Sequence, residues 1–345
     1  MDSLLSASNG HRVPHSPELV QMQDSRFESP IVTTILTTYR RPRLVKRAIR
    51  SVLRQTYSNI RLLVLDDASG DETEEIVETI AQQDPRVVYI KHPHNIGMTP
   101  NWQYGLEHVE TPYFSFLSDD DLLLPHFYSE AVQALEADND LSFVGGTTIV
   151  FDDKGTIGYI VGDKWRPGIH NPPESMLHMM ADPLSWNAIL FRRDIITKVG
   201  RLESIHSTDY DYLVRASRNC RFQVSNEPFA MFMEHKGRGL RYTDRKQIFD
   251  EFLPMAQRLL EPQGLSPEIQ AEAWVVMNRY CFDTAKYLLL SYLIGNQPLK
   301  ALEVCRYMQR LALGSLDARR LTFFTLLQLR FPFLGTLLRR RVLKA

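Results

Sequence analysis

No run of about 18 uninterrupted apolar side chains occurs in the 345 residues, so no membrane-spanning helix is expected. Cysteine is scarce: Cys220, Cys281 and Cys305 are odd in number, far apart and without a CxxC spacing. That excludes a disulfide framework and a thiolate zinc site, and it fits a reducing, cytoplasmic compartment. An excess of one charge is missing too. With 40 basic and 41 acidic side chains, no global field recommends nucleic acid as a partner. Residues 1–29 have neither the basic start nor the apolar stretch of a secretory signal; rich in Ser, Pro, His and Gln, they read as a disordered leader.

What is present is an alternation of short apolar or β-branched runs with helix-period segments. The runs IVTTILT, IRLLVLD, RVVYIKH, YFSFLS and LSFVGGTTIVF lie between residues 31 and 151. This is the pattern of βα units stacked around a mainly parallel sheet. Between the first two runs, Leu44, Val45, Ala48, Ile49, Val52 and Leu53 form one stripe behind Pro42, as in an amphipathic helix packed on a sheet. Residues 152–173 are turn-rich and predict a hairpin and a long loop. WNAILF reads as a further strand, and residues 222–235 as a last strand pair. Beyond residue 243 only helix-period segments remain, which predicts a helical extension over 243–345.

In an open α/β sheet, ligands bind beyond the carboxyl ends of the strands, where loops and helix N-termini converge. Four consecutive strand ends here carry polar residues: Thr37 to Tyr39, Asp66 and Asp67, His94 to Gly97, and Asp119 to Asp121. Adjacent carboxylates repel unless a cation lies between them. Magnesium or manganese, which takes hard oxygen ligands and substrate phosphates together, suits such a cluster. The competing reading is a capped turn before the helix that starts near Pro125. Asp66 and Asp67 likewise serve either as acceptors for a ligand or as caps of the next helix.

With TILTTYRRP, VLDDASGDET, HNIGMTPNW and FLSDDD in this order, the chain resembles the family 2 glycosyltransferases over roughly residues 31–240. The resemblance implies a GT-A fold, a Rossmann-like mixed sheet flanked by helices, over residues 30–242. It also implies a nucleoside-diphosphate sugar donor, with UDP or dTDP favoured, and a Mg2+ or Mn2+ cofactor. By position, Thr37, Tyr39 and Arg40 resemble the first nucleotide-contacting loop, Asp67 the residue that reads the base, and Asn95 and Gly97 the loop beside it. Asp119 matches the ribose-binding aspartate, Asp120 or Asp121 the metal ligand, and His235 a further ligand to the metal. Asp209 in STDYDYLVRAS matches the general base of an inverting transfer, although Thr208 stands where the family often has Glu. Ser185, Trp186 and Asn187 fall in the acceptor-side segment, as contacts to a glycan or lipid-linked acceptor.

No QxxRW motif is present, which implies transfer of a single sugar, in surface polysaccharide or glycolipid synthesis, rather than processive synthesis. Two other classes compete. A sugar nucleotidyltransferase needs a glycine-rich phosphate loop, and TILTTYRRP contains no glycine. A catalytically inactive nucleotide-sugar-binding or scaffold protein would not need Asp209. Residues 318–345 hold seven basic and no acidic side chains among apolar ones. Such a segment either lies in a membrane interface, giving peripheral attachment on the cytoplasmic face, or packs on the domain. The basic run from Arg40 to Arg54 reads as a solvated helix face.

Overall fold

The computed structural model describes residues 31–203, 207–234, 254–255, 257–260, 264–294 and 297–310. The leader, His235 and the segment 318–345 lie outside the described residues. The N-terminal part is built of four parallel strands, β1 (Val32–Thr38), β2 (Ile60–Asp66), β3 (Val87–Lys91) and β4 (Tyr113–Ser118). They alternate with helices α1 (Pro42–Leu53), α2 (Thr73–Gln83) and α3 (Met98–Glu107). A two-residue strand β5 (Leu122–Leu123) and helix α4 (Phe127–Ala137) follow. The strands β6 (Leu141–Asp152), β7 (Ile157–Val161), β8 (Gly168–His170), β9 (Ile189–Arg192) and β10 (Arg221–Glu234) complete a mixed sheet ordered β3-β2-β1-β4-β9-β6-β10-β5. Off that path, β7 pairs with β6 and β8 with β10.

Strand alternation divides the core into two layers. In β1, Ile35 belongs to one apolar cluster, while Val32 and Leu36 belong to the other with Val45, Ala48, Ile49 and Val52 of α1. The Ile35 side also takes α3, α5 (Ser175–Ala181) and α7 (Thr208–Asn219). Helix α3 lies close against β1 because residue 105 is glycine: a Cβ there would meet Ile35 Cγ2 at 2.3 Å. The C-terminal helices α8 (Pro267–Ile294) and α9 (Pro298–Arg310) follow the expected helical extension. Residues Met255, Leu259, Ala273 and Met277 join the same cluster as α7.

The strand pair expected over residues 222–235 is instead one 14-residue strand, β10. Pro228, which lacks an N–H for the ladder, sits between two shifts in its register with β6, so an irregularity absorbs it and no turn is needed. Only the second half of WNAILF is strand. Trp186–Ala188 form a 3-10 turn, which leads into β9.

Candidate active site

The loops after β1 and β2 are laced together. Asp67 N donates to Thr38 O at 3.0 Å, and Arg40 N donates to Ser69 Oγ at 2.8 Å. Arg40 and Ala68 both take positive φ, 56° and 60°, a conformation that side chains rarely adopt unless their surroundings fix it. Arg40 Nε also reaches Ser69 O, and its guanidinium lies 5.0 Å from the Tyr39 ring. Tyr39 is exposed and Thr37 half-buried at this edge.

The two aspartates after β2 divide their work. Asp66 is fully buried and accepts hydrogen bonds from Ser69 N, Ser69 Oγ and Tyr89 OH, so it shapes the loop. Asp67 accepts from Ile96 N at 2.7 Å and Gly97 N at 3.0 Å, one N–H on each oxygen. Asn95 Nδ2 adds a bond to Asp67 O at 3.2 Å. The loop carrying Asn95 and Gly97 is thereby clamped to the end of β2. A carboxylate oxygen can accept two bonds, so each keeps capacity for a ligand N–H. Gly97 has φ 94° where it starts α3, a conformation that favours glycine.

Beyond β4 the three aspartates form a tight turn into β5, closed by Asp121 N on Ser118 O. All three are buried, at 4%, 2% and 2% exposure. Thr38 Oγ1 donates to Asp119 Oδ2 at 2.8 Å. Arg41 Nη1 lies between the first two carboxylates, 3.0 Å from Asp119 Oδ1 and 2.9 Å from Asp120 Oδ2. Burial pushes the Asp119 carboxyl up to about 6; Asp120 adds to that rise, and Arg41 and Thr38 oppose it.

Asp121 faces elsewhere. Its oxygens accept from Asn187 Nδ2 and from Met233 N, each at 3.1 Å, so it ties β10 and the 3-10 turn to the carboxylate turn. Of the two candidates for the metal, Asp120 is therefore the one already facing a cation. His235 lies outside the described residues, among which no group of three metal-ligating side chains occurs. The fit to a divalent cation rests on the donor set: two adjacent carboxylates of hard oxygen with a positive charge already drawn between them.

Asp209 is exposed on the first turn of α7, where its Oδ1 accepts from Tyr210 N. Next to it, Thr208 Oγ1 lies 2.9 Å from Thr99 Oγ1 of α3. A chain of contacts thus runs from Asp67 through Gly97 and Thr99 to Thr208, joining the loops after β2 and β3 to the expected base. The acceptor-side residues correct one expectation. Trp186 is 9% exposed and stacked on Phe116 at 4.3 Å with Trp102 at its edge, so its ring fills the core and offers no face to a sugar. Asn187 is committed to Asp121, while Ser185 is half-buried before the turn.

Sequence reasoning missed three residues. Arg41 was submerged in a basic run; its signal is its place directly before Pro42, the first residue of α1, at the strand edge. Ser69 joins two loops. Asp211, fully buried, accepts from Arg215 on its own helix and from Arg258 at 2.6 Å.

Residues 33–199 match the family described as Glycosyl transferase family 2. An uncharacterized glycosyltransferase of Haemophilus influenzae is 29% identical over 189 residues, 53% of this chain and 57% of that protein. A GalNAc(5)-diNAcBac-PP-undecaprenol beta-1,3-glucosyltransferase of Campylobacter jejuni is 29% identical over 122 residues, 35% of this chain and 39% of that protein. The chain thus spans about half the length of these curated relatives. S. aureus TarS 1–349 in complex with UDP-GlcNAc overlays with a TM-score of 0.62 over 85% of this chain and 88% of that one, at 13% identity. Mannosyltransferase PcManGT from Pyrobaculum calidifontis, in complex with GDP-Man and Mn2+, gives 0.52 over 91% and 85%, at 15% identity. At such identities the likeness is one of fold, and the fold is GT-A.

Proposed function

The chain belongs to glycosyl transferase family 2 through residues 33–199, and from that premise we propose a metal-dependent, inverting transferase that moves one sugar from a nucleoside-diphosphate donor. The observation that carries this reading is the pair Asp119 and Asp120 held about one cation at the junction of four laced strand ends. The proposed acceptor is a hydroxyl of a glycan or lipid-linked saccharide, as in surface polysaccharide or glycolipid synthesis. The name of the Campylobacter relative supports the lipid-linked choice, and the UDP-GlcNAc bound by TarS a UDP donor ahead of the dTDP alternative, while PcManGT binds GDP-Man.

In this reading Asp67 accepts an N–H of the base, Tyr39 lies against its ring and Asp119 takes the ribose. A Mg2+ or Mn2+ ion at Asp120 would neutralise charge on the leaving diphosphate, a use supported by the Mn2+ of PcManGT. Asp120, beside Asp119, would hold that ion, and Arg41, which pairs with both carboxylates here, would add positive charge next to the diphosphate. Asp209 takes the proton of the acceptor hydroxyl. The oxygen forms a bond to the anomeric carbon on the face opposite the leaving diphosphate, as the carbon–oxygen bond to that diphosphate breaks. The outcome is inversion at that carbon and release of a nucleoside diphosphate.

Release of nucleoside diphosphate from a panel of donors, with and without manganese, tests the reading. Donor-dependent release that requires both metal and an acceptor is expected; donor binding without release would point to the inactive binding protein. We also assign residues 318–345 to peripheral membrane contact. Deleting them is expected to reduce flotation with liposomes, and unchanged flotation would remove that assignment.

A further inference from the structure

Helix α1 separates its side chains sharply. Val45, Ala48, Ile49 and Val52 are buried under the sheet, while Arg43, Lys46 and Arg50, followed by Arg54 at the C-cap, run at helical spacing along the outer side and Arg47 turns partly inward beside them. They form the wall of an open groove of about 430 Å³. Its other wall is apolar, formed by Leu122, Leu124, Pro125 and Met231, and no carboxylate lines it.

This arrangement works against the helix. The pairs Arg43/Arg47, Lys46/Arg50 and Arg50/Arg54 are four residues apart and of like charge, each destabilising by about 0.2–0.5 kcal/mol. Arg43 also sits in the first turn, where the helix dipole disfavours a cation, and α1 has no acidic residue there. None of the five forms an ion pair among the described residues. Arg47 Nη2 reaches Asp120 O at 2.9 Å, yet its buried Nε has no hydrogen-bond partner. Arg47 also meets Met233 Sδ and the Phe151 ring, whereas the repulsion among Arg43, Lys46, Arg50 and Arg54 has no such compensation among the described residues and is relieved by an external anion.

We propose that this groove docks the protein on a bilayer by binding the phosphate headgroups of anionic phospholipids. Arginine, four of the five cations, matches phosphate with paired N–H groups, and the apolar wall suits the boundary between headgroup and acyl chain. The same charge would attract nucleic acid, but a nucleic acid backbone has no use for an apolar wall of leucine, proline and methionine. A lipid-linked acceptor is not the occupant either. Asp209 lies on α7, which packs on the opposite face of the sheet from α1.

The test uses the full chain and the variant R43Q/R50Q/R54Q, whose three sites are exposed. Wild-type protein is expected to float with phosphatidylcholine vesicles that contain phosphatidylglycerol and not with phosphatidylcholine alone. At about fivefold per cation near an anionic surface, the variant should lose roughly a hundredfold in partitioning. Its melting temperature should hold or rise, since like charges are removed, and nucleoside diphosphate release to a soluble acceptor should persist. Equal partitioning of variant and wild type, or arginine-dependent binding to an oligonucleotide with none to vesicles, overturns the proposal. Loss of vesicle binding stands whether or not the chain transfers sugar, so the two readings fail separately.

Discussion

Asp119, Asp120 and Asp121 are neighbours in sequence with different partners, and substitutions should separate them. Asp120→Ala is expected to lower transfer by about two to three orders of magnitude and to weaken manganese-dependent nucleotide binding, measured by titration calorimetry. Unchanged affinity would defeat its metal role. Asp209→Asn should remove a comparable share of turnover, about 10²–10⁴-fold, with donor affinity kept. Asp121→Ala should act on stability instead. It strands the Met233 N–H and the Asn187 amide, at a cost of about 1–3 kcal/mol for each buried group, seen as a lower urea midpoint. The place of Asp119 and Asp120 together at the end of β4 is legible because they follow an apolar run. The third aspartate's role is not, because its partners lie 66 and 112 residues away.

The raised Asp119 carboxyl also gives a pH dependence with a definite sign. Between its ordinary value of 3.8 and about 6, the folded protein binds a proton that the unfolded chain releases. Stability from this group is thus greatest below that window and is lost as pH rises through it. Metal-supported nucleotide binding should run the other way. It should weaken as pH falls below about 6, and Asp119→Asn should flatten that profile in a calorimetric series.

At the scale of elements, the strands of the βα units were readable from the alternation of short apolar or β-branched runs with helix-period segments, since β1, β2 and β4 are buried on both faces of the sheet. Helix α3 shows what alternation does not reveal. Its approach to β1 depends on Gly105, where an added methyl group would overlap Ile35 and Leu65. Gly105→Ala should therefore destabilise the protein by about 1–3 kcal/mol in urea denaturation, despite the higher helix propensity of alanine. It should also disturb activity, because α3 carries Thr99 to Thr208 beside Asp209. Strand β10 escaped the sequence reading for a different reason. Asn226, Glu227 and Pro228 have the composition of a turn, and only pairing with β6 keeps them within one strand.

For the whole molecule, the sequence separates a sheet-bearing part from helices, but not how the two join. Asp211 accepts from Arg258, Arg218 donates to Leu259 O, and Met255, Leu259 and Met277 complete the apolar cluster around α7. A chain ending at residue 242 should consequently expose that cluster. We expect it to aggregate on size-exclusion chromatography or to melt well below the full chain. An equal melting temperature would show that the helices are independent of the sheet.

Arg41, lying between Asp119 and Asp120, bears on handling as well as chemistry. If the proposed ion binds here, a site that carries its own counter-charge would not collapse when that ion is stripped. Chelator treatment should therefore leave the melting temperature of wild-type protein nearly unchanged, and removal of the ion should be reversible. In Arg41→Met the same treatment leaves two buried carboxylates facing each other, so this variant, unlike the wild type, should depend on added metal for storage as well as for turnover.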